Sequence, residues 1–145
     1  MKDKKLGQLE YYIDHKWPIF PIHWVDQAQC SCGKSNCGKN QGKHPLLKGG
    51  FYKATTEFNQ IEYWHKKWPE ANWGMRTGDC ATGGAGVVII DIDPRNGGDE
   101  SWENLRYENP GLIETVTVES GGGGRHLWFS YPSGLEIQSG DSVWP

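Results

Sequence analysis

No apolar run in this 145-residue sequence approaches the roughly 20 residues that a membrane-spanning helix needs. The opening stretch, MKDKKLGQLEYY, has a charged head with no apolar segment behind it, so no secretory leader is expected and the compartment is expected to be the cytoplasm. Cysteine is scarce. Four thiols in a reducing compartment point to ligands or buried thiols rather than to a disulfide framework. An excess of positive charge is missing too: the net charge is −3, which does not advertise a nucleic-acid surface, although a local basic groove is what binds phosphates. Internal repeats and linkers are absent, and the length suits one domain with one substantial core.

What the chain does have is glycine (20), proline (8), tryptophan (8) and tyrosine (6), so many turns and a heavy aromatic load. Leu6, Leu9, Tyr12 and Ile13 recur at helical spacing and predict a short helix ending near Lys16. In WPIFPIHW, Pro18 and Pro21 bracket a short extended segment, suited to an edge or first strand. Residues 26–50 form a polar, Gly- and Cys-rich excursion with no periodicity, long enough that something must hold it.

Thr55 or Thr56 is placed to cap a helix carrying Phe58, Ile61, Tyr63, Trp64 and Trp68, which Pro69 stops. ANWGMRTG predicts a short strand and turn. GVVIIDID predicts the strongest strand, SWENLRYEN a helix with Trp102, Leu105 and Tyr107 inward, and ETVTVE and RHLWFSYP two later strands. Helices between strands, with adjacent strands late in the chain, suggest an α+β fold or a mixed α/β sandwich.

The strand VVIIDID ends in two acids. Side chains at i and i+2 share a face, so Asp91 and Asp93 point the same way. Two close carboxylates repel, and without a counter-charge one is driven to keep its proton. One or two divalent cations, Mg²⁺ or Mn²⁺, are the usual resolution. The plainer alternative is an exposed strand end whose acids face water. Phosphohydrolases, nucleotidyltransferases and sugar-nucleotide transferases all use such a D-x-D pair beside phosphate.

ESGGGGRHLWF places four glycines directly before Arg125 and His126. Backbone N–H groups of consecutive glycines, here Gly123 and Gly124, approach an anion closely, and the Arg and His add charge and donors, so the corner suits a triphosphate. The competing reading is a flexible hairpin with His126 half-buried at a strand start. His126 faces the same cleft as the acids if the two strands are neighbours.

CSCGKSNCGKNQGKH offers Cys30, Cys32, Cys37 and His44. The C-x-C pair is tighter than the usual zinc knuckle. A single tetrahedral Zn²⁺ would nonetheless explain how so polar a loop is ordered; unliganded thiols in a mobile loop are the alternative. Cys80 stands apart from this set. Lys34, Lys39, Lys43 and Lys48 make the excursion locally basic, which suits a nucleic-acid backbone or simple solubility.

In order, WPIFPIHW, CSCGKSNCGKNQGKHPL, GGFYKATTEFNQIEYWHKKWPEANWGMRTG, GVVIIDIDPRNGGDESWENL and ETVTVESGGGGRHLWFSYP run from Trp17 to Pro132. Together they resemble the bifunctional primase–polymerase domain, a branch of the archaeo-eukaryotic primase superfamily found in phage and plasmid replication proteins. The resemblance implies an α+β, primase-like mixed sheet with flanking helices and a zinc-stabilised insertion at 26–50. It implies a nucleotidyltransferase, a DNA primase and DNA polymerase, in the cytoplasm of a bacterial, archaeal or phage-infected cell. Asp91 and Asp93 would be the first two ligands of catalytic Mg²⁺ or Mn²⁺. His126 would contact the incoming nucleotide's phosphates, helped by Arg125, and Cys30, Cys32, Cys37 and His44 would hold structural zinc. Arg76 and Lys43 are further candidates for nucleotide or template contacts. The partners implied are a DNA template and primer, nucleoside triphosphates and a helicase domain or protein, with no membrane.

Two departures stand out. Four glycines precede Arg125 where the family shows a shorter Ser-Gly-Gly run. The family pattern also continues past Trp144–Pro145 into a glycine-rich strand with a third catalytic acid, so the domain is expected to be truncated at its C-terminus and short of one catalytic carboxylate. Asp141, in SGDSVWP, is not assigned that role. Two rivals follow: a non-catalytic zinc module binding nucleic acid or a replication partner, and a phosphohydrolase with an aspartyl nucleophile. The second wants a small hydroxyl or β-branched residue where this chain has Arg95.

Overall fold

Asp3 opens the first helix, its carboxylate accepting from the backbone N–H groups of Lys5 and Leu6 at 2.9 and 3.5 Å. That satisfies two of the donors a helix start leaves without partners. This helix, α1 (Lys4–Asp14), is the first element of a computed structural model that describes residues 3–79, 86–112 and 114–140. Cys80 and Asp141 lie outside the described residues. The chain divides into two units, residues 1–85 and 86–145.

In the first unit, β1 (Ile19–Ile22) pairs antiparallel with β4 (Asn72–Met75), Ile19 opposite Met75 and Ile22 opposite Asn72. α1 and α2 (Phe58–Lys67) supply the apolar cover. Leu9, Ile19, Ile61 and Trp64 form the buried core, with Trp68, Trp73 and Met75 packed against it. Ile61 and Trp64 lie three apart on one face of α2, as the spacing predicts. The expected threonine cap is not used. Glu57 occupies the N-cap position without a side-chain bond; Thr55 exchanges both backbone hydrogen bonds with Ile19 (3.0 Å each), and its hydroxyl accepts from the Glu57 N–H (3.1 Å), one residue short of the helix.

The excursion at 26–50 is more ordered than its composition suggests. β2 (Val25–Asp26) and β3 (Gln29–Cys30) make a hairpin, and Gly38–Asn40 forms one 3₁₀ turn.

The second unit is a three-stranded antiparallel sheet with strand order β5–β7–β6, built from β5 (Val87–Ile92), β6 (Val116–Glu119) and β7 (Arg125–Ser130). α3 (Gly98–Glu108) covers one face. Its Trp102 and Leu105 pack with Ile90, Ile92, Leu127 and Phe129. Tyr107, expected inward, is 89 % exposed. Two residues beyond Leu105 on a helix is more than half a turn away from the packed stripe.

With three helices and small sheets, every strand pair among the described residues antiparallel, the class is α+β. No described helix is long and apolar enough to cross a membrane.

Candidate functional site and metal centre

β5 brings its apolar residues under α3 and then runs out of core at Asp91. In register with β7, Asp91 lies directly opposite His126, and Val118 of β6 lies on the far side of His126. Residues opposite one another in an antiparallel pair project to the same face. Asp91 and His126 therefore share the face away from α3. Their side chains meet, with His126 Nε2 3.5 Å from Asp91 Oδ1. The carboxylate is 69 % exposed, so this pair adds little to stability.

Asp93 follows two residues on, past the last residue of β5. Pro94 breaks the ladder and opens a 3₁₀ turn, Pro94–Asn96, with Asp93 as its cap. The Asp93 carboxylate is fully engaged. It accepts from the backbone N–H of Arg95 (3.0 Å), from Arg95 Nε and Nη2 in a two-point fork (3.0 and 2.9 Å) and from Asn96 Nδ2 (3.1 Å). The Arg95 side chain leads the groups that hold the Asp93 carboxyl below the usual carboxylate range. The same guanidinium feels the charge of Asp91 and lies against Gly122, within 4 Å of where a side chain there would begin. Arg95 is thus the counter-charge of Asp93, while the ion-pair partner of Asp91 is His126. Sequence reasoning missed Arg95 in that role, although an arginine two residues beyond the second acid, behind a proline, was the signal available.

The glycine run is a turn joining β6 to β7. Gly124 is pressed against β5: a Cβ there would lie 2.6 Å from the Ile92 carbonyl oxygen, so no other residue fits. The N–H groups of Gly123 and Gly124 donate to the Ser120 carbonyl and hydroxyl (3.0 and 3.1 Å), leaving Gly121 and Gly122 as the glycines whose N–H groups the turn does not use. Arg125 is opposite Ile92, on the α3 face, where its guanidinium pairs with Asp99 in the first turn of that helix (3.2 Å). Arg125 and His126 therefore point to opposite faces.

Arg76 and Lys43 belong to the first unit. Arg76 follows β4, its guanidinium about 6 Å from the ring centres of Phe51 and Tyr52; Lys43 precedes His44 in the cysteine loop.

In that loop, Cys30 at the end of β3, Cys32, Cys37 and His44 place their donor atoms within 4.8 Å of one another. Cys32 and Cys37 sulfurs are 3.1 Å apart, and His44 Nε2 is 3.3 Å from Cys30 and 3.7 Å from Cys37. Zinc bonds of about 2.3 Å to sulfur and 2.0 Å to nitrogen put tetrahedral ligands about 3.5–3.8 Å apart. The cluster fits such an ion with little adjustment. Backbone N–H groups already aim at the sulfurs, Gly42 at Cys30 and Lys34 at Cys32, both at 3.4 Å.

Without a cation the three thiols cannot all ionise. The backbone N–H of Cys32 leads the groups drawing Cys30 down to about 6, while contact with Cys32 pushes Cys37 up to about 12. A dication removes that conflict. The hairpin reversal that delivers Cys30 and the bridge of Pro45 to Ile22, which fixes His44, bring the ligands together.

A family model described as "Bifunctional DNA primase/polymerase, N-terminal" matches residues 9–143. No curated protein and no solved structure matches the chain.

Proposed function

Because this chain belongs to the family of bifunctional DNA primase/polymerase N-terminal domains, we propose that it transfers nucleotides on a DNA template, with Asp91, Asp93 and His126 as the reacting centre. The observation that carries this is the register of β5 and β7, which sets Asp91 across from His126 on the face opposite α3. The family match spans both units, which supports taking residues 1–145 as one domain with 26–50 as a zinc-stabilised insertion.

Asp91 and Asp93 would hold Mg²⁺ or Mn²⁺, although as they stand the two acids and His126 do not gather into a cluster. These ions are commonly held by one or two carboxylates together with substrate phosphates rather than by an all-protein cage. When bound, they lower the pKa of the attacking hydroxyl and neutralise charge on the reacting phosphate. Asp91 offers an open carboxylate. Asp93 offers a second once Arg95 turns from it toward the triphosphate. His126 Nε2, 3.5 Å from Asp91 in the resting site, turns from that carboxylate to a phosphate oxygen, and the N–H groups of Gly121 and Gly122 line the turn beside Arg95. The zinc is structural: four protein ligands leave no open position for a substrate.

A second reading has an observation of its own. Among the described residues no third carboxylate gathers with Asp91 and Asp93, and the fork of Arg95 closes the latter. Both facts suit a nucleic-acid-binding module without catalysis. Incorporation of labelled nucleotides on a primed template, with Mn²⁺ or Mg²⁺, separates the two. Incorporation that falls to background in Asp91→Ala supports nucleotidyl transfer. A parent chain that binds the template and incorporates nothing counts against nucleotidyl transfer by this chain, the outcome expected of the binding module and of an active site short of its third acid.

A further inference from the structure

Residues 27–56 contain five of the chain's fifteen basic residues and none of its eighteen acids. The protein is acidic as a whole, so this is a pronounced local excess. Within it stands a pair of aromatic side chains that the core does not use. Phe51 is 46 % and Tyr52 70 % exposed, and their rings lie 4.2 Å apart, inclined by 31°. Rings left in water add little to folding, so core packing does not explain them.

The mount is rigid. Gly49 and Gly50, at φ 98° and 53°, take backbone conformations that favour glycine and turn the chain into the 3₁₀ turn Gly50–Lys53. The turn is closed by hydrogen bonds from Tyr52 N–H to the Gly49 carbonyl and from Ala54 N–H to the Phe51 carbonyl, and Ala54 is buried. On either side Pro45 and Thr55 bridge to Ile22 and Ile19 of β1. Arg76, about 6 Å from both ring centres, has its backbone N–H tied to the Pro18 carbonyl at 2.9 Å. Two exposed rings, fixed to a sheet and flanked by Lys48, Lys53 and Arg76, have the composition of a surface that stacks bases while cations follow the phosphates.

We propose that Phe51 and Tyr52 are a base-stacking platform for single-stranded nucleic acid. On the proposed function, from which the strand's identity follows, that strand is the DNA template. A flat ring accepts any base, so the platform grips the strand without reading sequence. The lysines and Arg76 supply the salt-dependent part of the affinity.

The test is fluorescence anisotropy of a labelled oligothymidylate titrated with the full zinc-loaded chain, no other divalent ion added. Tyr52→Ala and Phe51→Ala are each expected to weaken binding about tenfold or more, the loss of one stacked base. Tyr52→Trp is expected to restore it. Tyr107→Ala, which removes an aromatic ring exposed on α3, is expected to change nothing. Lys48→Ala should lower the slope of log affinity against log salt by about one.

Unchanged affinity in both ring variants overturns the platform. So does a parent chain that does not bind the oligomer, which would leave the rings to a protein partner. Failure of the proposed function looks different. A chain that binds through these rings but incorporates no nucleotide counts against nucleotidyl transfer by this chain and leaves the platform standing. A chain that incorporates nucleotides with the same template KM in Tyr52→Ala sinks the platform alone.

Discussion

Arg95 changes what the acid pair is. From the sequence, two carboxylates on one strand face demand a counter-charge, and a metal answers that demand. In the structure a guanidinium answers it for Asp93, by a fork from the arginine two residues beyond. The positions of Asp91 and His126 were legible because strand alternation and neighbouring strands suffice to put them together. The engagement of Asp93 and the turning of Arg125 toward Asp99 were not, because both depend on which partner a long cation reaches. A second residue-scale pairing governs acid stability. Asp3 caps α1 and its Oδ2 lies 2.6 Å from Nε2 of the buried His65, the contact that does most to lower its pKa. A carboxyl lowered in the folded state contributes stability that is present above its unfolded value of 3.8 and lost as pH falls through the lower folded value. In Asp3→Asn, which keeps a capping oxygen, urea unfolding followed from pH 6 to pH 3 is expected to show a shallower acid decline than the parent.

Among the elements, the helices and main strands were legible from period and punctuation. The hairpin β2–β3 was not. Its two-residue turn is Gln27–Ala28, both at positive φ (46° and 63°), where Asn-Gly is the usual pair. Nothing in Gln-Ala signals such a turn, and the hairpin is held from outside. Gln41 Nε2 donates to the Ala28 carbonyl at 2.6 Å, and the cysteine cluster closes behind it. Left-handed alanine costs about 1 kcal/mol or more. Ala28→Gly is therefore expected to stabilise the zinc-bound protein by roughly 1 kcal/mol, read from the denaturant midpoint. No gain would show that the turn is not strained.

For the whole molecule, the two units rest on different sources of order. The second has an ordinary helix-on-sheet core around Ile92, Trp102 and Leu127. The first has the core of Leu9, Ile19, Ile61 and Trp64, and beside it a polar loop that depends on its Cys₃His cluster. Elemental analysis is expected to find one zinc per chain, reduced in Cys37→Ser. Chelation is expected to strip hydrogen-exchange protection from residues 22–46 while β5 and β7 keep theirs. Equal loss in both places would mean that the ion supports the whole chain rather than one loop. The cluster was legible from residue types alone, despite its unusual spacing, because three thiols and a histidine stand together in a segment too polar to pack itself.

The contact of Gly124 with the Ile92 carbonyl acts as an index stop. A one-residue slip of β7 against β5 would present Arg125 or Leu127 to Asp91 and turn every side chain to the wrong face. The stop lies after the glycine run, next to the residues whose phase matters. The alignment of histidine with aspartate is thus set where the strand begins, at that contact.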